Sequence, residues 1–577
     1  MNKLSWFEKF KDRKVGRTLG VYLGSAWVFI EAFNFMVDKF NLDAEILNIV
    51  ILLVIFGLPA SIIFVWFEKK FSKGAILLQV INGLLLISVI SYTQIKPDSI
   101  QPTQLRLLKF KDNQKKLAEA IRSIVVLPFD NFTGDENQEY ICEGMHAALI
   151  NELSETGALI VKSKTTSLAY SGSEKTIKEI ARDLNVDGVI EASILHVGEN
   201  IKVQLKLIST YPEEQQLWAK TYDTDIRNIL ELYNNVIKEI ANEINITLTP
   251  YQESKLAETR KVNPEAYKSY LLGMYNVHQL TAEGIEKGLI YLNKAIEIDP
   301  EEPLGYAGLA LAYLEIEHGV FANGEAYIKA NEAANKALKL DTTIAEVHGA
   351  LAELNMYYFR DYVKAEKHFK KAIDINPNLS LIHTHYAWAL FLFGRKEESI
   401  FEHELAQSLD PLNPYIISQL GWIYTYYGHY EDGIQKSLES LELQKDYPFG
   451  LWCLGETYLA LGREEEAIEA QMKLTQMIPP CKWILGYTYA MTNHLAEAEM
   501  ILEELENEVV NCWNAMGLAV LNGALGNKEE TLKWISYDPP HAWIPWVKIM
   551  NFMKPVDKLL ENDVRYEDLL RRLNVPE

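Results

Sequence analysis

Apolar residues are arranged in three ways along the chain, and each arrangement predicts a different kind of element. In the first hundred residues they form three nearly continuous runs, at 15–37, 46–67 and 75–95. Each is close to the ~20 residues that a helix needs to cross hydrocarbon. Glu31 and Asn34 interrupt the first run, and Gln79 and Asn82 the third. Basic residues cluster around the start of the first run (Lys3, Lys9, Lys11, Arg13, Lys14, Arg17) and between the second and third (Lys69, Lys70, Lys73). The connection DKFNLDAE between the first two runs is net acidic. By the positive-inside rule this predicts three transmembrane helices, a cytoplasmic amphipathic N-terminus at 1–14, and everything after the third helix on the outer side. Arg106, Lys109, Lys111, Lys115 and Lys116 weigh against that orientation. Gly16, Gly20 and Gly24 make a doubled GxxxG, which lets helices approach closely in lipid, either as a homodimer or against the other two spans.

Beyond a polar stalk at 96–121 the pattern shortens. SIVVLPF at 123–129 is a β-branched run closed by a Pro turn, a buried-strand signal. Helical periodicity follows at 141–155, then an extended stretch ALIVKSKTTSLAY, then a second amphipathic helix at 176–184. VDGVIEASILHVGENIKVQLKLIST reads as two alternating strands joined at Gly198-Glu199-Asn200. QLWAKTYD adds a strand and 226–244 a closing helix, giving a small α/β domain over 122–250.

The third arrangement is a repeat. Helix-ending segments AIEIDP, ALKLDT, AIDINP, AQSLDP, ELQK and TQMIP close at 300, 342, 377, 411, 445 and 479, steps of 42, 35, 34, 34 and 34 residues. A spacing of about 34 with Gly, Tyr, Ala and a terminal Pro is the tetratricopeptide (TPR) signature, an all-α superhelical solenoid of helix pairs A and B. In LWCLGETYLALGREEEAIEAQMKLTQMIP, Gly455 and Ala467 allow close helix approach, Tyr458 fills the space between helices, Gly462 turns the chain and Pro479 stops helix B. About eight extra residues around HGVFANGEA predict a longer inter-helix turn. The array is assigned to 262–505, with a degenerate unit near 511–535 and the tail VDKLLENDVRYEDLLRRLNVPE as a C-terminal cap within 506–577. By analogy with such arrays, helix A lines a concave groove, and Trp388, Phe391, Tyr415, Trp422, Tyr426 and Trp452 fall on positions facing it. Aromatic anchors of this kind suit capture of a peptide or partner helix, or they pack between repeats.

Charge separates these regions. Residues 1–120 carry 16 basic and 10 acidic side chains, whereas the whole 577-residue chain has 56 against 79, net −23. A basic apolar head thus precedes an acidic body, which disfavours nucleic acid as a partner and favours a basic one, or serves only to keep a long array dispersed. With 48% hydrophobic residues a disordered chain is excluded. Four cysteines without a CxxC pair exclude a disulfide scaffold and a zinc module. Cys453, Cys481 and Cys512 read as core thiols; outside the cytoplasm one disulfide among them would be open to formation. No P-loop, HExxH, GxSxG or dinucleotide fingerprint is present, so no cofactor, metal or catalytic residue is assigned. His383 and His385, two apart, point to different faces of a helix and do not make a metal pair. Asp130, Asp135, Glu136 and Glu139 read as a solvated loop rather than a Ca²⁺ site.

SIVVLPFDNFTGDENQEYICEGMHAALINEL, IARDLNVDGVIEASI and LWAKTYD resemble the TolB amino-terminal-like domain of bacterial membrane proteins, where it stands ahead of TPR repeats. The head, with RKVGRTLGVYLGSAWVFIEAF and FGLPASIIFVWFE, resembles heads found on such proteins. The resemblance implies a bacterial, envelope-facing, protein-binding module rather than an enzyme. Some relatives carry a cyclase or winged-helix DNA-binding domain, for which the few residues before the first span leave no room. The expectation is therefore a non-enzymatic adaptor, scaffold or sensor: a three-helix transmembrane head (15–95), a small α/β domain and a TPR solenoid. It would sit in the bacterial inner membrane with its body in the periplasm, binding an envelope protein through groove and α/β domain and touching lipid through its head. The alternative is an accessory regulatory subunit of a transmembrane enzyme or transporter, with Glu31 and Asn34 in a functional membrane interface.

Overall fold

The computed structural model describes residues 121–132, 139–197, 200–210, 214–244, 246, 248–257, 261–279, 281–317 and 324–576. The chain divides into two units, 1–118 and 119–577, and the described residues belong to the second. The expected multi-pass inner-membrane location with a periplasmic body is corrected. Among the described residues no helix is long and apolar enough to cross a membrane. Those helices reach at most 17 residues, short of the ~20 a span requires. The three apolar runs, Glu31, Asn34 and the Gly16, Gly20 and Gly24 motif lie outside the described residues.

The small domain is built on a mixed sheet of order β3-β1-β4-β5-β6, with β2 beside β4. Its strands are β1 (Ser123–Val126), β2 (Asp130–Asn131), β3 (Ile160–Val161), β4 (Gly188–Val197), β5 (Asn200–Ser209) and β6 (Gln215–Asp225). β1 runs parallel to both β3 and β4, whereas β4, β5 and β6 form an antiparallel meander. The β-branched run forms β1 because it is buried on both sides. Ile124 and Val126 meet α1 (Glu139–Glu155), and Val125 shares a second small core with α3 (Ile177–Leu184). Thr176 caps α3 through a capping box with Glu179. The expected extended stretch after α1 is corrected. Only Ile160–Val161 is strand, after which Ser163 caps a short helix α2 (Lys164–Leu168) by accepting from the Thr166 N–H at 3.1 Å. The closing helix α4 (Ile229–Glu243) follows a 3₁₀ turn at Ile226–Asn228, and α5 (Pro250–Ala257) leads into the repeats.

Helix pairs then stack in order, A before B: α6 (Pro264–Val277) with α7 (Ala282–Ile298), α8 (Pro303–Glu317) with α9 (Glu325–Leu340), and α10 (Ala345–Glu353) with α11 (Tyr362–Ile375). They continue with α12 (Ser380–Leu392) and α13 (Lys396–Leu409), α14 (Pro414–Tyr426) and α15 (Tyr430–Leu443), and α16 (Pro448–Ala460) and α17 (Glu464–Met477). The last pairs are α18 (Lys482–Met491) with α19 (Leu495–Glu506) and α20 (Cys512–Leu525) with α21 (Lys528–Ile535). The small residues act as their spacing predicts. A Cβ on Gly455 would lie 2.2 Å from Gln471 of α17, Ala467 is fully buried, and Gly462 turns the chain at φ +71°. Tyr458 differs from expectation: it is half-buried and stacks under the Arg463 guanidinium, 4.3 Å from the ring centroid.

After α21 the chain cannot continue as helix, because Pro539, Pro540 and Pro545 interrupt it. It crosses the inner, A-helix face as 3₁₀ turns at Ile544–Trp546 and Asn551–Met553. The tail then caps the array as α22 (Lys554–Leu560) and α23 (Val564–Arg572).

Candidate functional site

The six aromatic residues assigned to the groove all lie on A helices. Trp388 and Phe391 are on α12, Tyr415, Trp422 and Tyr426 on α14, and Trp452 on α16. Five of them form one ring network: Phe391 stacks on Tyr426 at 5.6 Å, Trp388 meets Trp422 at 6.4 Å, and Trp422 meets Trp452 at 5.0 Å. Tyr415 stands apart, edge-on to Phe449 at 5.5 Å.

The expectation that these side chains line an open groove is corrected, because the chain fills the groove itself. Trp543 and Phe552 pack on Trp452 at 5.5 and 5.9 Å, and Phe552 also meets Trp483 at 5.6 Å. The Trp546 indole N–H reaches the Trp388 carbonyl at 3.4 Å. Trp388 and Trp452, against which the segment packs, are 7% and 3% exposed, and Phe391 and Trp422, packed among the A-helix rings, are 5% and 4% exposed. The physical reason is that segment 541–553 carries large apolar side chains but no helical or strand period with which to bury them. Tyr415 and Tyr426 remain half-buried, and Tyr415, Tyr447 and Phe449 make a partly exposed aromatic strip at the starts of α14 and α16.

One carboxyl sits inside the network. Glu456 of α16 accepts from the Tyr426 hydroxyl at 2.9 Å and the Trp452 indole N–H at 3.0 Å. Burial pushes its pKa up to about 7, against the lowering effect of these hydrogen bonds. The signal for it in the sequence was a lone Glu inside the apolar run PFGLWCLGETYLALG.

The α/β domain is joined to the repeats by buried polar contacts at repeat-equivalent positions, which periodicity alone did not reveal. Asn376 and Asp410, 34 residues apart, each follow a B helix. Asn376 donates to Asn151 at 2.8 Å, and Asp410 accepts from the Thr166 hydroxyl at 2.7 Å. Asn378 donates to the carbonyls of Ser154 and Leu159 at 3.1 and 2.9 Å and accepts from the Val161 N–H at 3.4 Å. Lys162 donates to the Ser408 carbonyl at 2.5 Å; burial lowers its pKa to about 8, opposed by the nearby Asp410 charge.

Other polar groups are enclosed. His146 Nε2 lies 3.1 Å from the Ser167 hydroxyl, but both are buried beneath the sheet, so the pair cannot reach a substrate. His383 pairs with Glu402 at 2.5 Å and His385 with Glu353 at 3.4 Å, so the two histidines do serve different neighbours. The four cysteines are buried, and none is in a disulfide. Among the described residues no group of three His, Cys, Asp or Glu is placed to hold a metal ion. Asp135 and Glu136 lie outside the described residues.

A tetratricopeptide repeat family model matches residues 453–481, which form α16 and α17 and the turn beyond. The chain is 29% identical over 246 residues to a Rhizobium meliloti (strain 1021) protein bearing the name of an adenylate cyclase, covering 42% of each. It is 25% identical over 365 residues to the transcriptional regulator HilA of Salmonella typhimurium (strain LT2), covering 62% of each. The chain thus spans less than two thirds of the length of these curated relatives. Among solved structures it is similar to PilW, a type IV pilus biogenesis factor, with 22% identity and a TM-score of 0.30, covering 35% of this chain and 90% of that one. The chain contains TPR repeats behind a small mixed-sheet domain, an architecture consistent with a protein-interaction scaffold.

Proposed function

We propose that this chain is a non-enzymatic adaptor that binds a protein partner on a surface shared by the repeats and the α/β domain. The observation that carries the reading is the buried polar joint at Asn376, Asn378 and Asp410, which holds the two parts as one platform. The partner's contact is assigned to the strip Tyr415, Tyr447 and Phe449, where aromatic surface remains partly open. Leu412, three residues before Tyr415, packs against the domain's Val125 and Leu184 cluster, so strip and domain adjoin. Tyr rings give large contact area at small entropic cost, and the other five groove aromatics act from behind as support. The finer assignment of the small domain as TolB amino-terminal-like belongs to the same proposal and rests on its sequence resemblance.

The test uses the full chain with a photoreactive side chain at position 449, and a Tyr415→Ser, Phe449→Ser double variant. The reading requires a partner cross-linked from 449 and recovered at least about tenfold less by the double variant, with far-UV circular dichroism unchanged. Equal recovery by a folded double variant contradicts it. A second reading, an accessory regulatory subunit, draws on the names of the two curated relatives. It is favoured if the recovered partner is an enzyme whose rate changes when the chain is added.

A further inference from the structure

A small, partly open space lies where the C-terminal segment leaves α21 and meets the second and third helix pairs. It measures about 40 Å³ and is lined by Glu317, Tyr327, Tyr358, Arg360 and His541. That is room for a few waters or the head of a small acid. Arg360 is held in the left-handed region at φ +54° by the turn after α10, and its carbonyl accepts from Asn574 at 2.7 Å. Its guanidinium donates to the Tyr358 carbonyl at 3.2 Å, but its Nε is buried with no hydrogen-bond partner. Tyr362, Tyr327 and Tyr358 surround it, and Glu317 lines the same space. Arg360 is half-buried, and a guanidinium N–H cut off from water without an acceptor is a costly arrangement.

The other donors converge on the same space. The Tyr327 hydroxyl belongs to a side chain 5% exposed and has no hydrogen-bond partner. His541 accepts from the Trp543 N–H through Nδ1 at 3.2 Å, which leaves its ring proton on Nε2. Glu317 is already committed, accepting from the N–H groups of Gly324 and Ala326 at 2.9 and 2.7 Å. Its negative charge on one wall penalises a dianion more than a monoanion. A planar fork of N–H donors matches a planar carboxylate.

We propose that this cavity binds a small carboxylate, received by the Arg360 guanidinium and the Tyr327 hydroxyl. The carboxylate belongs either to a free acid or to the C-terminus of a peptide. Bound there, it ties α9, the Arg360 turn and the start of the C-terminal segment together.

The experiment titrates ¹³C-labelled acetate, for the free acid, and N-acetyl-glycyl-glycine, for a chain terminus, into the full chain and follows their NMR line widths. Saturable broadening by either, weakened about tenfold in Arg360→Met and a few-fold in Tyr327→Phe, is the expected result. Which probe binds more tightly assigns the source. Tyr327→Phe removes only an unpartnered hydroxyl, so it keeps the test valid if Arg360→Met fails to fold. No broadening by either probe, broadening unchanged in Tyr327→Phe, or tighter binding of inorganic phosphate overturns the proposal.

Discussion

Phe552→Ala probes the filled groove at its centre. The ring is 1% exposed and sits 5.6 Å from Trp483 and 5.9 Å from Trp452. Truncating a buried Phe costs about 3–5 kcal/mol, the transfer term plus the cavity left behind. The segment carrying it is 3₁₀ turns and loop rather than long helix, so it can partly collapse into the space, placing the loss near ~3 kcal/mol. Phe359, 49% exposed, supplies the control: Phe359→Ala should stay within about 0.5 kcal/mol of the parent. Urea unfolding followed by tryptophan fluorescence and far-UV circular dichroism gives both values. Because an array's stability sums local and nearest-neighbour terms, the loss should appear as faster amide exchange in α16 to α20 and leave α6 to α9 unchanged. A Phe552→Ala loss under about 1 kcal/mol, or no larger than that of the control, would refute the packing described.

Asn378→Ala removes three buried hydrogen bonds between repeats and α/β domain; it should cost roughly 2–5 kcal/mol in urea and speed amide exchange at Val161, and unchanged exchange there would contradict the joint. Glu456 has its folded pKa raised from the ordinary 4.5 to about 7, so its contribution is fully present below pH 4.5 and is lost as pH rises through 7. The stability of the parent minus that of Glu456→Gln should therefore fall by roughly 3 kcal/mol between pH 4.5 and 8, and a flat difference curve would show the carboxyl is not desolvated. Gly455→Ala places a Cβ 2.2 Å from Gln471 Nε2 and should cost about 1–3 kcal/mol by overpacking, measured by the same urea midpoints.

The repeats were legible because each short-range requirement leaves a residue behind. Gly455 marks close approach, Gly462 a positive φ, and Pro300, Pro377, Pro411 and Pro479 the stops after four of the B helices. The meander was legible in β5, whose alternation NIKVQLKLIS becomes alternation of exposed and buried side chains. The short helix α2 was missed because its Ser163 cap lies inside a β-branched, hydroxyl-rich stretch where propensity favours strand. The aromatic positions themselves were legible, but their occupancy was not. SYDPPHAWIPWVKIMNFM has no period to read, and its destination depends on contacts far along the chain, such as Trp546 with Trp388. The joint at Asn376 and Asp410 escaped for the same reason: their 34-residue spacing looks like ordinary repeat-ending chemistry until a second domain is placed against it.

The central claim, that the A-helix face is closed by the chain's own segment 541–553, is tested most directly by hydrogen exchange of the Val547 and Met550 amides in the full chain. Both are bonded within the segment, to the Ile544 carbonyl at 3.0 Å and the Trp546 carbonyl at 2.9 Å, beneath buried side chains. The account predicts exchange as slow as that of α14 and α16. Exchange as fast as in exposed loops, with α14 and α16 still protected, would show that the groove stands open.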